Sequence, residues 1–399
     1  MKDSQHTQAP LWIGVAIAFY AFIAIGIAEA GLGVLLPSIV STYELSSATV
    51  TLLFISQISG YILAAFTSSL VSNRLGLGKM LLIAAVALTM ALVIYATSPY
   101  WLLMVAAGTV LGLGIGLIDA GINTYIVQDS RSASLIGILH GFYGIGAFCG
   151  PTIATTLLVL GLNWRQVYWV LAWIVSLLIV SVLGVIMYRY TPMTQQVSTS
   201  NATAVKNLGR SLQSPVVLIT GLLLAVYVGI EACIGSWAYT VQFVGRHTPR
   251  LIAGYSVSAY WLGLTVGRFI LGYFLQRLGA VRTISMSLTL VIIGLLAWWQ
   301  LPHQWVSLPL IGFGLAAIFP ATIWLIPQRL PETLVPAAVS FATSIASFGA
   351  ALIPTGAGWA ASWASLEIIP ILMLPLALLI VGLHCWLVQH SVKDINSNS

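Results

Sequence analysis

Charge is what this sequence has least of. Its 399 residues include 15 lysines and arginines and nine aspartates and glutamates, so charged residues make up 6% of the chain. Soluble domains carry roughly 25%. A water-facing surface cannot be assembled from that supply, which excludes a soluble globular protein. Cysteine is scarce too: Cys149, Cys233 and Cys385 lie in separate apolar segments, with no spacing that suggests a metal site or a disulfide framework. No phosphate-binding loop or metal-ligand cluster is present. Gly112, Gly114 and Gly116 fall inside an apolar run rather than between a strand and a helix, so they are no dinucleotide fingerprint. Neither an enzyme, a cofactor nor a nucleic-acid partner is expected.

What the sequence does have is apolar length, with 59% of its residues hydrophobic. A segment of about 20 apolar residues crosses a bilayer core of ~30 Å. Twelve such spans are predicted, at 11–36, 47–72, 80–98, 101–127, 135–160, 167–188, 215–242, 251–275, 283–301, 306–328, 337–361 and 368–388. The expected fold is an all-α polytopic membrane protein in two pseudo-symmetric six-helix halves. Residues 1–188 would form the first half and 215–399 the second, with the Ser-, Thr-, Gln- and Asn-rich stretch 189–214 as linker. The polar N-terminus leads straight into the first span, so no cleavable signal is expected.

Orientation follows from lysine and arginine placement. With both termini cytoplasmic, eleven basic residues lie inside: Lys2, Arg74, Lys79, Arg131, Arg189, Lys206, Arg210, Arg277, Arg282, Arg329 and Lys393. Three lie outside, Arg165, Arg246 and Arg250, and Arg268 falls within a span. The bias places both termini and the linker in the cytoplasm of a cell whose plasma (inner) membrane holds the chain. Trp12, Trp101, Trp164, Trp305 and Trp386 stand near span ends, as interfacial anchors do.

Two internal matches point to duplication. Span 1 reads Glu29-Ala30-Gly31-Leu32-Gly33 and span 7 reads Glu231-Ala232-Cys233-Ile234-Gly235. The loop after span 2 contains Arg74-Leu75-Gly76, and the loop after span 8 contains Arg277-Leu278-Gly279. Parallel halves of this kind place a transport site at the half–half interface, near the membrane midplane.

The stretch that organises the rest is span 4, GTVLGLGIGLIDAGINTYIV. Gly108, Gly112 and Gly116 form a small-residue stripe for close helix approach. Asp119 and Asn123 share one face at i and i+4. A carboxylate within a span faces protein or water rather than lipid, and it is either an interhelical hydrogen-bonding group or a solute or proton site. Glu29 and Glu231 carry the same two readings. Arg268 needs a partner, either a carboxylate such as Asp119 or backbone carbonyls. His140 reads as a packing residue or a proton shuttle.

The loop 69–79 (SLVSNRLGLGK) and its copy 272–282 resemble the signature loop of the major facilitator superfamily, without its acidic residue: Asn73 and Gln276 stand there. Asp119 with Asn123, GFYGIGAFCGP at 141–151, Gly229-Ile230-Glu231 with Trp237, WLGLTVGR at 261–268 and GFGLAAIFP at 312–320 resemble the fucose-permease-like sugar:proton symporters. This resemblance implies alternating access between the halves, with Asp119 in a coupling or substrate role. Arg74, Arg277 and Arg268 would then have gating or structural roles. Gly150 and Pro151 resemble an exporter-associated motif whose physical content is close packing with a helix bend.

The expected function is secondary active transport of a small polar, sugar-like solute, coupled to protons. Asp119 and Glu29 are the proton-coupling candidates. Glu231, Asn123, Trp237, Gln242, Tyr143, Trp261 and Trp324 are candidates to line the solute cavity, where rings and amides suit a neutral polyol. Each of these rings serves equally well in helix packing. The alternative is an efflux antiporter for drugs or metabolites on the same fold. A sensor or scaffold would need an appended soluble domain. Solute, coupling ion and bilayer are the expected partners of a monomer.

Overall fold

The computed structural model describes residues 12–127, 132–188, 190, 193, 212–301 and 304–396. Lys2, Arg131, Arg189, Lys206, Arg210 and most of the linker lie outside the described residues, as do the side chains of Trp305 and Lys393. The first half contains α1 (Trp12–Thr42), α2 (Leu52–Leu75), α3 (Leu77–Thr97), α4 (Trp101–Val127), α5 (Ser132–Val159) and α6 (Trp164–Met187). The second contains α7 (Pro215–Thr240), α8 (Arg250–Leu278), α9 (Ala280–Gln300), α10 (Gln304–Leu315), α11 (Ile318–Arg329), α12 (Val335–Trp363) and α13 (Ile368–Asn396). In hydrocarbon a helix satisfies its own backbone, which is why apolar runs of this length take no other form.

Among the described residues, eleven segments are long and apolar enough to cross a membrane. With its 29 residues α8 is also long enough to cross but more polar, and it completes the twelve spans. Local signals set several ends. Asn163 accepts from the Gln166 backbone at 3.0 Å while Gln166 accepts from the Asn163 backbone at 2.9 Å, a capping box that starts α6. Gly76 and Gly279, the glycines of the repeated loop, have φ of 82° and 75°. A side chain is disfavoured in that region, so the Arg-Leu-Gly repeat survives for a backbone reason.

The tenth span departs from expectation. Instead of one helix over 306–328, it is two, α10 and α11, interrupted at Ala316 and Ala317. Pro320 has no N–H to give the Ala316 carbonyl, and Ala120 stands at its place in the unbroken α4.

The halves repeat their packing. Helix α1 packs on α5, α2 on α4, and α3 on α4 and α6; correspondingly α7 packs on α12, α8 on α10, and α9 on α10 and α13. The contacts match in detail. A Cβ on Gly112 would lie 1.7 Å from the Gln57 carbonyl oxygen, and one on Gly312 would lie 2.0 Å from that of Tyr260. Gly60 meets Thr109 as Gly263 meets Pro309. Residues 112–126 and 312–326 show the same order of buried and exposed positions.

Among the described residues the halves meet chiefly where α1 packs on α7, α2 and the turn before it on α12, and α5 on α8. Many of their bonds lie toward the face opposite the linker. Gly33 and Gly235, the glycines of the repeated Glu-Ala motif, meet there: a Cβ on Gly33 would lie 2.3 Å from the Gly235 carbonyl oxygen. Gly358 rests on Ser47 and Thr51. Thr152 donates to Ser258 at 3.0 Å, and Thr156 and Tyr255 share a bond of 2.9 Å.

The three arginines expected outside are all tethered. Arg165 donates to the Ser98 carbonyl at 2.7 Å and lies 4.3 Å over the Trp164 ring. Arg246 holds Glu367 through two bonds of 2.7 Å, and Arg250 donates to Leu158 at 3.4 Å. Among the expected interfacial tryptophans, Trp164 is corrected: it is buried, donating to Thr42 at 2.9 Å.

Candidate functional site

Four helices bring the embedded charges together. Asp119 on α4 accepts from Tyr61 of α2 at 2.6 Å and from Asn123, one turn further on, at 2.8 Å. Glu29 on α1 accepts from Tyr143 of α5 at 2.9 Å. Glu231 on α7 is bonded by the Tyr227 hydroxyl and paired with Arg268 of α8 at 3.3 Å. Tyr260, two turns before Arg268 on α8, donates to the Glu231 carbonyl at 3.0 Å. Glu29 lies within electrostatic reach of both Glu231 and Asp119.

Arg268 therefore pairs with Glu231 and not with Asp119. Its position follows from helix geometry: Arg268 stands two turns beyond Tyr260 on α8, so both reach the α7 turn that carries Glu231. The pair is mostly enclosed, with side-chain exposures of 16% and 12%.

Glu29 differs from the other acids in being exposed, although Ala28 and Ala30 beside it are buried. A single exposed residue in mid-helix, with neighbouring charges on α4 and α7, opens onto space inside the molecule rather than onto lipid. His140, also exposed, stands one turn before Tyr143 with its ring edge-on to Phe22, within electrostatic reach of Asp119 and Arg268. It borders this space instead of being enclosed in packing. Glu29 and His140 both lie on the linker side of the Gly33–Gly235 contact.

The aromatic expectations divide. Tyr143 is at the site, and Trp261, itself buried, packs edge to face against it with centroids 6.5 Å apart. Trp237 is placed elsewhere: it is buried, donates to the Pro354 carbonyl at 3.0 Å and contacts Phe54, so it fastens α7 to α12 and α2. Gln242 is eleven residues past Glu231, roughly 16 Å at the helical rise. It lies in a π-helical turn, buried and donating to Ser256 at 2.8 Å. Trp324 is exposed on α11 and takes no part in these contacts. Gly150 serves close packing: a Cβ there would lie 2.9 Å from the Ile27 carbonyl oxygen, and Pro151 stays within an unbroken α5. Arg74 and Arg277 are exposed at the linker-side ends of α2 and α8, Arg277 lying over Tyr273 at 5.6 Å.

Residue-by-residue reading missed Tyr61, Tyr227 and Tyr260. Only Tyr227 carried a local signal, being four residues before Glu231 on the same helix face.

Comparison with known proteins agrees with this architecture. The family model described as Major Facilitator Superfamily matches residues 18–303 and 232–398. The glucose/mannose transporter GlcP of Bacillus subtilis is 22% identical, over 96% of this chain and 96% of its own. Bypass of stop codon protein 6 of Saccharomyces cerevisiae is 26% identical, over 88% of this chain and 77% of its own. Among solved structures, a bacterial homolog of the human lysosomal transporter Spinster superposes with a TM-score of 0.77 at 13% identity, covering 96% of this chain and 97% of that one. A D-xylose–proton symporter superposes with a TM-score of 0.72 at 17% identity, over 93% and 97%.

Proposed function

The chain belongs to the Major Facilitator Superfamily, a family of transporters, and on that footing we propose that it is a proton-coupled carrier of a sugar-like solute. One observation carries this reading. Three carboxylates and one arginine, drawn from α1, α4, α7 and α8, converge between the halves, and one of the carboxylates is open to solvent.

Coupling follows from the cost of enclosing charge. A cavity that closes around an ionised carboxylate strips it of water, and the penalty falls when the acid is protonated. Asp119 takes the coupling proton in this scheme, with Tyr61 and Asn123 holding its oxygens in place. Arg268 keeps Glu231 neutralised, which leaves that acid to orient solute hydroxyls. Tyr143 supplies a ring against which a sugar face lies, with Trp261 packed edge to face against it. The glucose/mannose and xylose transporters among the similar proteins support a sugar as solute. With residues 1–188 and 215–399 as moving halves and the linker in the cytoplasm, the form described here is closed on the outer side by Gly33 and Gly235.

Solute-driven proton movement tests this. D-Glucose, D-mannose or D-xylose is added to a lightly buffered suspension of proteoliposomes. Uptake of one of these sugars with alkalinisation of the medium is expected. Uptake without a pH change removes the coupling, acidification indicates exchange against protons, and no uptake of any of the three removes the sugar assignment.

A further inference from the structure

The two halves differ in how their embedded charge is answered. In the second half Glu231 is paired with Arg268 at 3.3 Å. The spacing of 203 that relates Arg74 to Arg277 and Gly60 to Gly263 puts Ala65 at the equivalent of Arg268. Lysine and arginine on α1–α6 stand only near helix ends, at Arg74, Lys79 and Arg165. Glu29 thus repeats the setting of Glu231 without its counter-ion. Asp119 is enclosed by Tyr61 and Asn123, where a proton serves; Glu29 is exposed and bonded by Tyr143.

A second, independent observation sits beside it. Trp261 is 5% accessible, and its indole Nε1 is buried without a hydrogen-bond partner. The ring stands edge-on to Tyr143 and against Gly235, where a Cβ would lie 2.7 Å from Cζ2. A buried donor left unmade is costly, and this one calls for an acceptor. Among the described residues, Tyr143 thus stands between a carboxylate with no paired cation and a ring whose buried donor has no acceptor.

We infer that the solute is an aminated polyol, a compound bearing hydroxyls together with one protonated primary amine. The ammonium pairs with Glu29 beside Tyr143. The apolar face of the solute lies against Tyr143, and a solute oxygen accepts from Trp261 Nε1 once the contact of that ring with Gly235 opens. This rests on the carrier reading above and replaces the neutral polyol that rings and amides alone pointed to.

Three sugars of one skeleton test it: D-glucose, N-acetyl-D-glucosamine and D-glucosamine. Affinities are taken from thermal shifts of the purified full chain, because a ligand that binds only the native state raises its stability. The buffer is neutral, so that most of the amine is protonated and the carboxylate is not titrated away. D-Glucosamine is expected to bind about tenfold more tightly than its acetylated, neutral form, the scale of a hydrogen bond to a charged group. In Glu29→Gln, which keeps shape and one acceptor, that difference should close. Trp261→Phe, which keeps a ring and loses the N–H, should weaken all three sugars alike. Equal affinities in the unaltered protein, or a preference for D-glucosamine that survives Glu29→Gln, overturns the inference and leaves the carrier reading standing. Binding of none of the three overturns both.

Discussion

Asp119, Glu29 and Glu231 are held in three different ways, by two hydrogen bonds, by one, and by an ion pair to Arg268 together with a tyrosine hydroxyl. The acids themselves were legible in the sequence, because a carboxylate in an apolar run is rare enough to stand out. Their partners were not. Tyr61 is 58 residues from Asp119, and Tyr143 is 114 from Glu29. Tyrosine in a membrane span is unremarkable until the fold brings it to a partner. Trp237 and Gln242 misled for the same reason, since a ring or an amide near an acid in sequence need not share its face. The Glu231–Arg268 pair yields a prediction. Removing one partner of a mostly enclosed pair strands the other charge, at a cost of about 3–5 kcal/mol. Arg268→Gln and Glu231→Gln should each lower the melting temperature, and the double variant should recover most of the loss. Additive losses in such a cycle would mean that the two side chains act separately.

At the scale of elements, sequence and structure agree closely. The span expected at 101–127 is α4 itself, and the other boundaries moved by a few residues or, at two C-terminal ends, by somewhat more. Hydrophobic length and terminal signals suffice for that. The break between α10 and α11 was not anticipated, because the apolar run continues across it. Proline alone does not mark it either: Pro37, Pro151, Pro354 and Pro375 all sit inside unbroken helices. The duplicated glycine contacts are where an element-level prediction belongs. Gly112→Ala and Gly312→Ala each drive a Cβ into a facing carbonyl, and overpacking of this kind costs about 1–3 kcal/mol. Both variants should melt earlier, by similar amounts. Gly184→Ala, where nothing lies within 4 Å, should be neutral or stabilising by up to about 1 kcal/mol from helix propensity. A loss at Gly184 as large as at Gly112 would show that the close approaches are not what the glycines serve.

Over the whole molecule, two repeated halves carry different charge. Their packing is duplicated down to single glycines, yet Phe319 stands where Asp119 is, and Ala65 where Arg268 is. The first half embeds Glu29 and Asp119 with lysine and arginine only near its helix ends, and the second embeds Glu231 paired with Arg268. In a carrier that alternates between two closures, this division assigns ion binding to the first half and solute orientation to both. The central claim is that the embedded acid of α4 links the proton gradient to solute movement. Its most direct test compares two modes of transport in proteoliposomes carrying Asp119→Asn at matched protein density. Uptake against a concentration difference, driven by an inward proton gradient, should be lost. Exchange of labelled for unlabelled solute at equal pH should continue, because alternation needs only that the acid be neutral. Gradient-driven accumulation undiminished by Asp119→Asn would contradict the account and leave Asp119 as a hydrogen-bonding partner of Tyr61 and Asn123.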